Sequence, residues 1–528
     1  MFQLNLLLKF TSLLVLLILL VVLNNEKTPN DDIEVPFLSN VESCGDVKIL
    51  NTYPIHFPDL RYYKHEPYSN QYMEPTNLPH TNQIELNQPY LKAKLQFTAL
   101  TKTASKDLTC EMFNKNITAY VSTWNSHHHE RVFTVVITCD ILINIVNATM
   151  KVNKDIVRYI YSKEYELEES IPFIDIFRLQ QIKVGSCILQ IPKISLNIFT
   201  FLINQIFPYP VKEHSIKSPF LHKTSLCVSP LRGHIPYLAE WFEYYLLLGI
   251  DHFYVYDYML SDEAKHLLSF YKARGIATVI PWSEMIANTY SVRSGWYYFQ
   301  AAANNDCVFQ FRQTSKYLMF VDTDEFLKIP DTLDALLSDF ERNSRFDILV
   351  EIEFSNWFYS TQIDSRYEKQ SINVIESEVD SYLQEIQGRL SPIEHSDLKS
   401  KWHKFESLVT LMSFKNKQAV ANRKKFIGKS MKMEETRIHK AFPYHYTFKY
   451  ELPIDIGYIM HFRDLNGGQF GSRYAEMKDL MKVKIDNGVQ TFDLADVKIL
   501  DTTYLFAKRQ AIMSRLKAVQ IAYENWTT

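Results

Sequence analysis

The sequence predicts an α/β fold in which a mainly parallel sheet is covered by helices on both faces. Three observations predict it: short apolar runs alternate with helical patterns from about residue 223, glycines follow two of the predicted helices, and one strand ends in a group of carboxylates. Such alternation is typical of parallel sheets built from successive strand–helix–strand units. Because no G-x-G-x-x-G follows the first strand, we do not expect a dinucleotide site of the NAD type.

The individual elements follow from apolar runs, capping residues and helix-ending glycines. We expect strands at 225–229, 252–256, 276–280 and 317–321. We expect helices at 236–248, 261–274 and 296–315. The first strand is expected to end at Pro230, and Ser261 is the candidate N-cap of the second helix. Gly249 and Gly275 stand just past the first two helices, where glycine is common.

Length and composition indicate a large folded protein. The 528 residues suggest two or three domains, and 34 Phe with 32 Tyr argue for large buried cores. The 57 basic and 60 acidic residues give a net charge of −3. No charge excess of the kind that binds nucleic acid is present, so no nucleic-acid partner is expected.

The N-terminus predicts a membrane anchor. Residues 4–23 are mostly apolar, and about twenty such residues span the hydrocarbon layer. Lys9 precedes the apolar core and acidic residues follow it, so we expect a cytosolic tail and signal anchor in 1–23 with the rest lumenal. A cleaved signal peptide is the alternative, but large polar residues occupy 24–27, where small ones would be needed.

Beyond the anchor we expect a lumenal stem, a β-rich accessory domain, an α/β catalytic domain and a helical C-terminal segment. Their expected limits are 24–90, 91–215, 216–475 and 476–528. Alternation at 92–97 and 131–138 predicts the β-rich domain. The glycosylation sequons at Asn116, Asn147 and Asn525 suit a lumenal glycoprotein. Six cysteines also suit an oxidising compartment, and their pairing stays open among 15 possibilities.

The chemistry is expected at Asp322-Thr323-Asp324-Glu325, which follows the fourth strand. Asp322 and Asp324 would share one face if the strand continued. Two carboxylates there suit Mg²⁺ or Mn²⁺, which could neutralise a diphosphate leaving group. A polar turn leading into the next helix is the alternative.

Several segments, taken together in order and spacing, resemble glycosyltransferase family 92. The matching segments are 226–231, 238–241, 248–253, 255–257, 305–307, 320–327 and 461–463. The resemblance covers about 223–470 and implies a GT-A-like, Rossmann-type nucleotide-sugar domain in a single-pass type II membrane protein of the Golgi or another secretory membrane. It further implies transfer of galactose from UDP-galactose to a glycan or glycoprotein, with inversion and with Mn²⁺ (or Mg²⁺) as cofactor.

The resemblance also implies residue roles. Asp322 and Asp324 match the family's metal-binding motif, with Asp324 the more direct ligand and Asp322 near the ribose or metal. His461 would complete the metal site, although a lone histidine in a strand is usually a core residue. Asp322 also belongs to the donor-binding set, which further contains Arg232, Asp257 and Arg463. Asp257 has an Asx turn as its alternative role, and Arg232 a surface salt bridge.

The remaining expectations concern catalysis. Glu351 and Glu353 share one face of the strand after the acidic segment and are the candidate general bases, with a loop expected from Ser355. Lys429, in the basic stretch 425–430, resembles a basic stretch of the family, although a solvated charge run is the favoured interpretation. The alternative to an enzyme is a non-catalytic lumenal glycan-binding or scaffold protein on the same fold.

Overall fold

The structure is a computed structural model of the chain. It describes residues 42–44, 47–53, 90–101, 109–112, 115–124, 132–144, 171–172, 181–184, 187–190, 220–235, 237–287, 299–342, 349–363, 374–391, 412–416, 420–443, 448–462, 483–486, 489–492, 497–499 and 502–527. None of the helices in these ranges is long and apolar enough to cross a membrane. The predicted anchor at 1–23, Asn147 and Arg463 lie outside the described residues.

The chain divides into two compact units. The first comprises Met1–Arg61, Ile84–Asn125 and Val132–Val211, and the second comprises Tyr62–Gln83, Ser126–Arg131 and Lys212–Thr528.

The first unit contains an antiparallel sheet with one short parallel pair. Its described strands are β1 Glu42–Cys44, β2 Val47–Thr52, β3 Tyr90–Thr101, β4 Thr109–Met112, β5 Lys115–Trp124, β6 Phe133–Asn144, β7 Ile171–Pro172, β8 Gln181–Val184 and β9 Cys187–Gln190. They lie in the order β1-β2-β3-β6-β5-β4-β8-β9, and β7 pairs in parallel with β6. A disulfide joins Cys110 of β4 to Cys139 of β6. Strands therefore occupy much of the described part of 91–215.

The second unit is a mixed α/β domain. Its described strands are β10 His222–Gly233, β11 His252–Leu260, β12 Ala277–Ile280, β13 Ser315–Val321, β14 Glu325–Lys328, β15 Leu349–Ile363, β16 Met412–Asn416, β17 Val420–Lys429, β18 Met433–Thr436, β19 Ala441–Pro443, β20 Phe448–Glu451, β21 Tyr458–Phe462, β22 Val483–Asp486, β23 Val489–Phe492 and β24 Val497–Ile499. Its described helices are α1 Leu238–Leu247, α2 Asp262–Ala273, α3 Trp282–Ala287, α4 Gln300–Phe311, α5 Leu333–Arg342, α6 Glu376–Arg389 and α7 Thr502–Thr527, with a 3₁₀ helix at Ser430–Lys432.

The topology of the large sheet identifies the edge where a ligand would bind. The strand order is β12-β11-β10-β13-β17-β15-β16-β24. β12, β11, β10 and β13 are parallel, whereas β17 runs antiparallel to β13 and β15. The chain winds outward from β10 to β12 and then crosses back to form β13 on the other side of β10. Ligands of open α/β sheets bind at such a crossover, beyond the carboxyl ends of the strands.

The predicted α/β class is confirmed for this unit, but its large sheet is mixed and not mainly parallel, because β15, β16, β17 and β24 add antiparallel pairs. Its helix signals are confirmed. Ser261 accepts a hydrogen bond from the Ala264 N–H, as expected of an N-cap. Gly249 and Gly275 have φ values of +96° and +72°, a conformation that favours glycine.

Four local predictions are wrong. β11 does not end at Tyr256 but continues to Leu260. β10 does not end at Pro230 but continues to Gly233, because irregularities in its pairing with β11 accommodate the proline. The residues after Ser355 do not begin a loop, because β15 continues through them and pairs with β21. The described C-terminal segment is helical only from Thr502, since β22, β23 and β24 precede the helix.

The C-terminal helix is joined to the rest of this unit through a buried charge cluster around Glu243 of α1. The Glu243 side chain has no exposed surface and accepts hydrogen bonds from Arg274 at 2.9 Å and Arg515 of α7 at 2.9 Å. The hydroxyls of Tyr271 and Tyr382 donate to the same carboxylate at 3.0 and 2.6 Å. Although burial disfavours the carboxylate, the two guanidinium groups keep the pKa of Glu243 below its usual value.

Candidate functional site

The acidic segment connects β13 to β14 at the carboxyl edge of the large sheet. Its turn is closed by the Glu325 N–H, which donates to the Asp322 carbonyl at 3.1 Å. β14 pairs antiparallel with β21, so Glu325 lies opposite His461. The Phe462 N–H donates to the Asp324 carbonyl at 2.8 Å. The fold therefore brings His461 beside the acidic segment.

Helix α1 fixes β14 from the core side. The Trp241 indole N–H and the Tyr245 hydroxyl donate to the Glu325 carbonyl at 3.1 and 3.0 Å. The Tyr244 hydroxyl donates to the Leu327 carbonyl at 2.6 Å. All three aromatic side chains are buried, so the backbone behind the acidic segment is held by a rigid apolar layer.

Three hydrogen-bond donors, two neutral and one cationic, hold the Asp322 carboxylate. Its Oδ1 accepts from the Ser229 hydroxyl at 2.8 Å and from the Gln300 amide at 2.9 Å. Its Oδ2 accepts from the Lys425 ammonium at 2.7 Å. Although burial disfavours the charged form, Lys425 holds the pKa of Asp322 far below its usual range. Both carboxylate oxygens are therefore engaged by protein groups.

Glu325 orients the same segment from inside the fold. Its Oε2 accepts from the Asp322 N–H at 2.8 Å and lies 3.1 Å from the Lys425 ammonium. The Asn356 amide donates to its Oε1 at 3.2 Å. Burial raises the pKa of Glu325 to about 7, although Lys425 lowers it. Lys425 therefore links the two carboxylates that flank Asp324 in the chain.

Asp324 and His461 form a pair on this segment. His461 Nε2 lies 3.3 Å from Asp324 Oδ2, and His461 Nδ1 lies 3.2 Å from both Glu325 Oε1 and Asn356 Nδ2. Burial opposes protonation of His461, but the carboxylates of Asp324 and Glu325 raise its pKa. Glu325 and Asn356 thus hold the imidazole through Nδ1, as a carboxylate commonly holds the second nitrogen of a metal-binding histidine, and Nε2 is directed at Asp324.

The donor set suits a divalent cation that also takes ligands from its substrate. No group of three or more His, Cys, Asp or Glu side chains in the described ranges is arranged to hold a metal by itself. Asp324 Oδ2 and His461 Nε2, however, lie 3.3 Å apart. A site with one or two protein ligands and phosphate oxygens is the usual arrangement for Mg²⁺ on nucleotides. The pair fits such an ion when a diphosphate completes the shell.

The predicted donor-binding residues are partly at this edge. Arg232 is exposed near the end of β10, and Asp257 lies near the end of β11, paired in register with Leu231. Asp257 Oδ1 accepts a hydrogen bond from the Leu260 N–H at 3.0 Å, so the Asx turn is present. Asp322 is at the end of β13.

Glu351 and Glu353 share a face, as expected, but lysines already bind both. Glu351 is buried, pairs in register with Gly428 and forms an ion pair with Lys449. Glu353 lies 3.3 Å from the Lys424 ammonium and 3.7 Å from that of Lys449. Burial raises the pKa of Glu351 to about 8, although Lys449 lowers it. This places Glu351 among buried structural charges, away from the strand end.

The two sequons in the described residues have different settings. Asn116 lies in β5, where it pairs in register with Glu111. Asn525 is exposed in the last turn of α7, and the Thr527 hydroxyl there donates to the Tyr523 carbonyl at 3.0 Å.

Sequence reasoning missed four residues of the site: Ser229, Gln300, Asn356 and Lys425. Lys429, the residue expected from the basic stretch, pairs with Tyr317 near the opposite end of β13, whereas Lys425 reaches Asp322. Lys425 would have been identified if the antiparallel orientation of β17 had been predicted, because this orientation places the first residues of β17 beside the carboxyl end of β13. No local signal identifies Gln300.

Residues 305–307, one of the segments that resemble family 92, make structural contacts. Asn305 donates to the Thr436 carbonyl and accepts from the Thr436 N–H, both at 2.9 Å. Asp306 accepts from the Tyr256 hydroxyl at 2.6 Å. Cys307 forms a disulfide with Cys227 of β10.

Comparisons with known proteins show similarity to glycosyltransferases. The model of glycosyltransferase family 92 matches residues 222–491, about half of the chain and the region that contains the acidic segment. A galactan beta-1,4-galactosyltransferase of Arabidopsis thaliana is 28% identical over 143 residues. That alignment covers 26% of this chain and 28% of the plant protein, so less than a third of the relative is matched. Both similarities support glycosyl transfer.

Proposed function

The chain belongs to glycosyltransferase family 92, and we propose that it transfers galactose from UDP-galactose to a glycan or glycoprotein acceptor, with inversion and with Mn²⁺ or Mg²⁺ as cofactor. The similar plant enzyme is by its name a galactosyltransferase, which supports galactose as the sugar. A diphosphate-linked donor suits a site at the crossover of a parallel sheet.

One observation carries the proposal: the approach of Asp324 and His461 to 3.3 Å at the end of β13. Asp324 Oδ2 and His461 Nε2 would hold the cation, and the donor diphosphate would supply further oxygens. When bound, the cation neutralises negative charge that develops on the departing diphosphate. Asp322 takes no direct part in metal binding in this proposal, because Ser229, Gln300 and Lys425 already engage its oxygens.

The chain's own groups position the donor. Asp322 stays ionised at the end of β13, and its side chain is 32% exposed, so it suits contact with the ribose. Arg232 and Asp257 lie at the same edge and would contact the diphosphate and the nucleoside respectively. Arg463 follows β21 by one residue and is assigned to the diphosphate on its position in the sequence alone.

We place the protein in a secretory membrane, held by the N-terminal segment 1–23 with its catalytic domain lumenal. The disulfides Cys110–Cys139 and Cys227–Cys307 support an oxidising compartment. The sequons at Asn116 and the exposed Asn525 agree with a lumenal location.

Calorimetric titration of the purified full-length protein with UDP tests the proposal. We expect UDP binding that requires Mn²⁺ and weakens at least about tenfold in Asp324→Ala, because one of two protein ligands is lost. Asp334→Ala is the matched control, since this exposed aspartate of α5 forms a surface ion pair with Lys223. Absence of UDP binding by folded wild-type protein, with and without Mn²⁺, would instead favour a non-catalytic glycan-binding role.

A further inference from the structure

A short hairpin beside the site carries a histidine that the family resemblance did not single out. β18 and β19 are joined by a turn over residues 437–440, which the Arg437 N–H closes by donating to the Lys440 carbonyl at 2.8 Å. The paired hydrogen bonds between Asn305 and Thr436 attach this hairpin to α4. Asn305 is fully buried, so the base of the hairpin is firmly held.

The ring of His439, in this turn, is oriented by β17. His439 Nδ1 lies 3.1 Å from the Lys424 carbonyl oxygen. Because a carbonyl only accepts hydrogen bonds, Nδ1 carries the hydrogen, and in the neutral ring Nε2 is then an acceptor. The structure gives Nε2 no hydrogen-bond partner among the described groups, and the ring is half-buried. The tautomer is therefore the one that a general base requires.

The topology places His439 near the carboxyl edge of the large sheet. β17 is antiparallel to β13, so its first residues lie beside the carboxyl end of β13. Lys424 is there, and its neighbour Lys425 binds Asp322. The crossover between β10 and β13 is the nucleotide side of such a sheet. β17 lies on the other side of β13 from β10, so the acceptor is assigned to the side of β17, where the Lys424 carbonyl holds the His439 ring.

The electrostatic surroundings keep the ring neutral. Burial and the nearby Lys425 cation lower the pKa of His439 to about 4, although Asp322 raises it. A base of this strength resembles the carboxylates that serve as general bases in glycoside hydrolysis. By contrast, Glu351 and Glu353, the two bases expected from the sequence, are occupied by Lys424 and Lys449.

We propose that His439 is the general base of the transfer, which presupposes the proposed function. Its Nε2 accepts the proton of the acceptor hydroxyl while that oxygen bonds to the anomeric carbon. The bond between the anomeric carbon and the diphosphate oxygen breaks, and its electron pair leaves with UDP. The imidazolium then returns its proton to water. Atoms and charge balance without any further reactant.

The test compares His439→Asn with wild-type full-length protein. The asparagine amide can replace Nδ1 as donor to the Lys424 carbonyl but offers no basic nitrogen. UDP release from UDP-galactose is measured with terminal galactosides and with water as acceptors, alongside Mn²⁺-dependent UDP binding. We expect kcat to fall at least about 100-fold while UDP affinity stays within about threefold. His266→Asn on α2, another half-buried histidine, is expected to behave as wild type.

The outcomes separate this inference from the proposed function. If wild-type protein neither binds UDP nor releases it from the donor, the proposed function fails. If wild-type protein is active and His439→Asn keeps more than half of its rate, only the assignment of the base fails. If His439→Asn also loses UDP binding, His439→Ala is assayed with added imidazole. Turnover restored by imidazole supports His439 as the general base. Loss of UDP binding in His439→Ala as well overturns that assignment in favour of a structural role.

Discussion

Replacement of Lys425 by methionine tests whether one buried ammonium group holds the acidic segment in place. The Lys425 side chain is 2% exposed, and its Nζ lies 2.7 Å from Asp322 and 3.1 Å from Glu325. Methionine has a similar length, so the packing changes little. The variant therefore removes mainly a charge and leaves two carboxylates without their common cation.

The expected loss in free energy of unfolding is about 3 kcal/mol at pH 7.5. Removing one partner of a buried ion pair generally costs about 3–5 kcal/mol. The lower end applies because the Asp322 side chain is 32% exposed and keeps contact with water. Glu325, whose pKa is already about 7, can in addition take up a proton.

The loss should shrink at lower pH. In the wild type, Lys425 keeps the pKa of Asp322 below its unfolded value, so this stabilisation is present above the unfolded pKa and is lost as the pH falls. In Lys425→Met the pKa of Asp322 rises, and the pKa of Glu325, already above its unfolded value in the wild type, rises further. The variant's stability then decreases as the pH rises, and the difference from wild type is larger at pH 7.5 than at pH 5.

Urea unfolding of the full-length protein, followed by tryptophan fluorescence at both pH values, measures the effect. Lys517→Met is the control, because Lys517 is 42% exposed and its partner Glu376 is 68% exposed. Exposed pairs of this kind contribute about 0–1 kcal/mol. A Lys425→Met variant within about 1 kcal/mol of wild type at both pH values would refute the assigned role of the ammonium group.

Two further predictions concern the rest of the second unit. Glu243→Gln should lower the free energy of unfolding by about 3–5 kcal/mol, because Arg274 and Arg515 lose their buried counter-charge; a loss below about 1 kcal/mol in denaturant unfolding would contradict this. The double variant Cys227→Ser, Cys307→Ser opens a link across a sequence separation of 80 and should cost about 4 kcal/mol, seen as a lower thermal midpoint than wild type under non-reducing conditions. An unchanged midpoint would argue against this bridge in the folded protein.

Elements with strong local signals could be predicted from the sequence. The four strands and three of the four described helices from 222 to 321 followed from apolar runs, from Ser261 and from the glycines at 249 and 275, whereas α3 was not predicted. Pro230 misled the prediction of the first strand, since tertiary pairing with β11 absorbs the proline in an irregular register. Residue propensities predict the preferred conformation of a segment, whereas pairing with neighbouring strands determines whether an irregularity such as Pro230 ends the strand.

The site itself was only partly predictable for a different reason. Asp322, Asp324 and His461 carry recognisable patterns, but Lys425 reaches Asp322 only because β17 is inserted antiparallel between β13 and β15. Likewise, Asn305 of α4 holds the hairpin that carries His439, although the hairpin is more than a hundred residues away from α4 in the sequence. Such relations depend on strand order, which a single sequence does not specify.

The spacing of Asp322 and Asp324 would place them on one face only in a continuing strand, and β13 ends at Val321. The intervening turn gives the two carboxylates different environments. Asp322 and Glu325 share the Lys425 cation, which removes most of the repulsion that three adjacent carboxylates would exert on one another and on a diphosphate. Asp324 is left as the carboxylate that faces His461. In the proposed function, the buried Lys425 would thus leave Asp324 as the single negative ligand that the acidic segment presents beside a negatively charged diphosphate, so the segment would depend on Lys425 as well as on its proposed metal ligands.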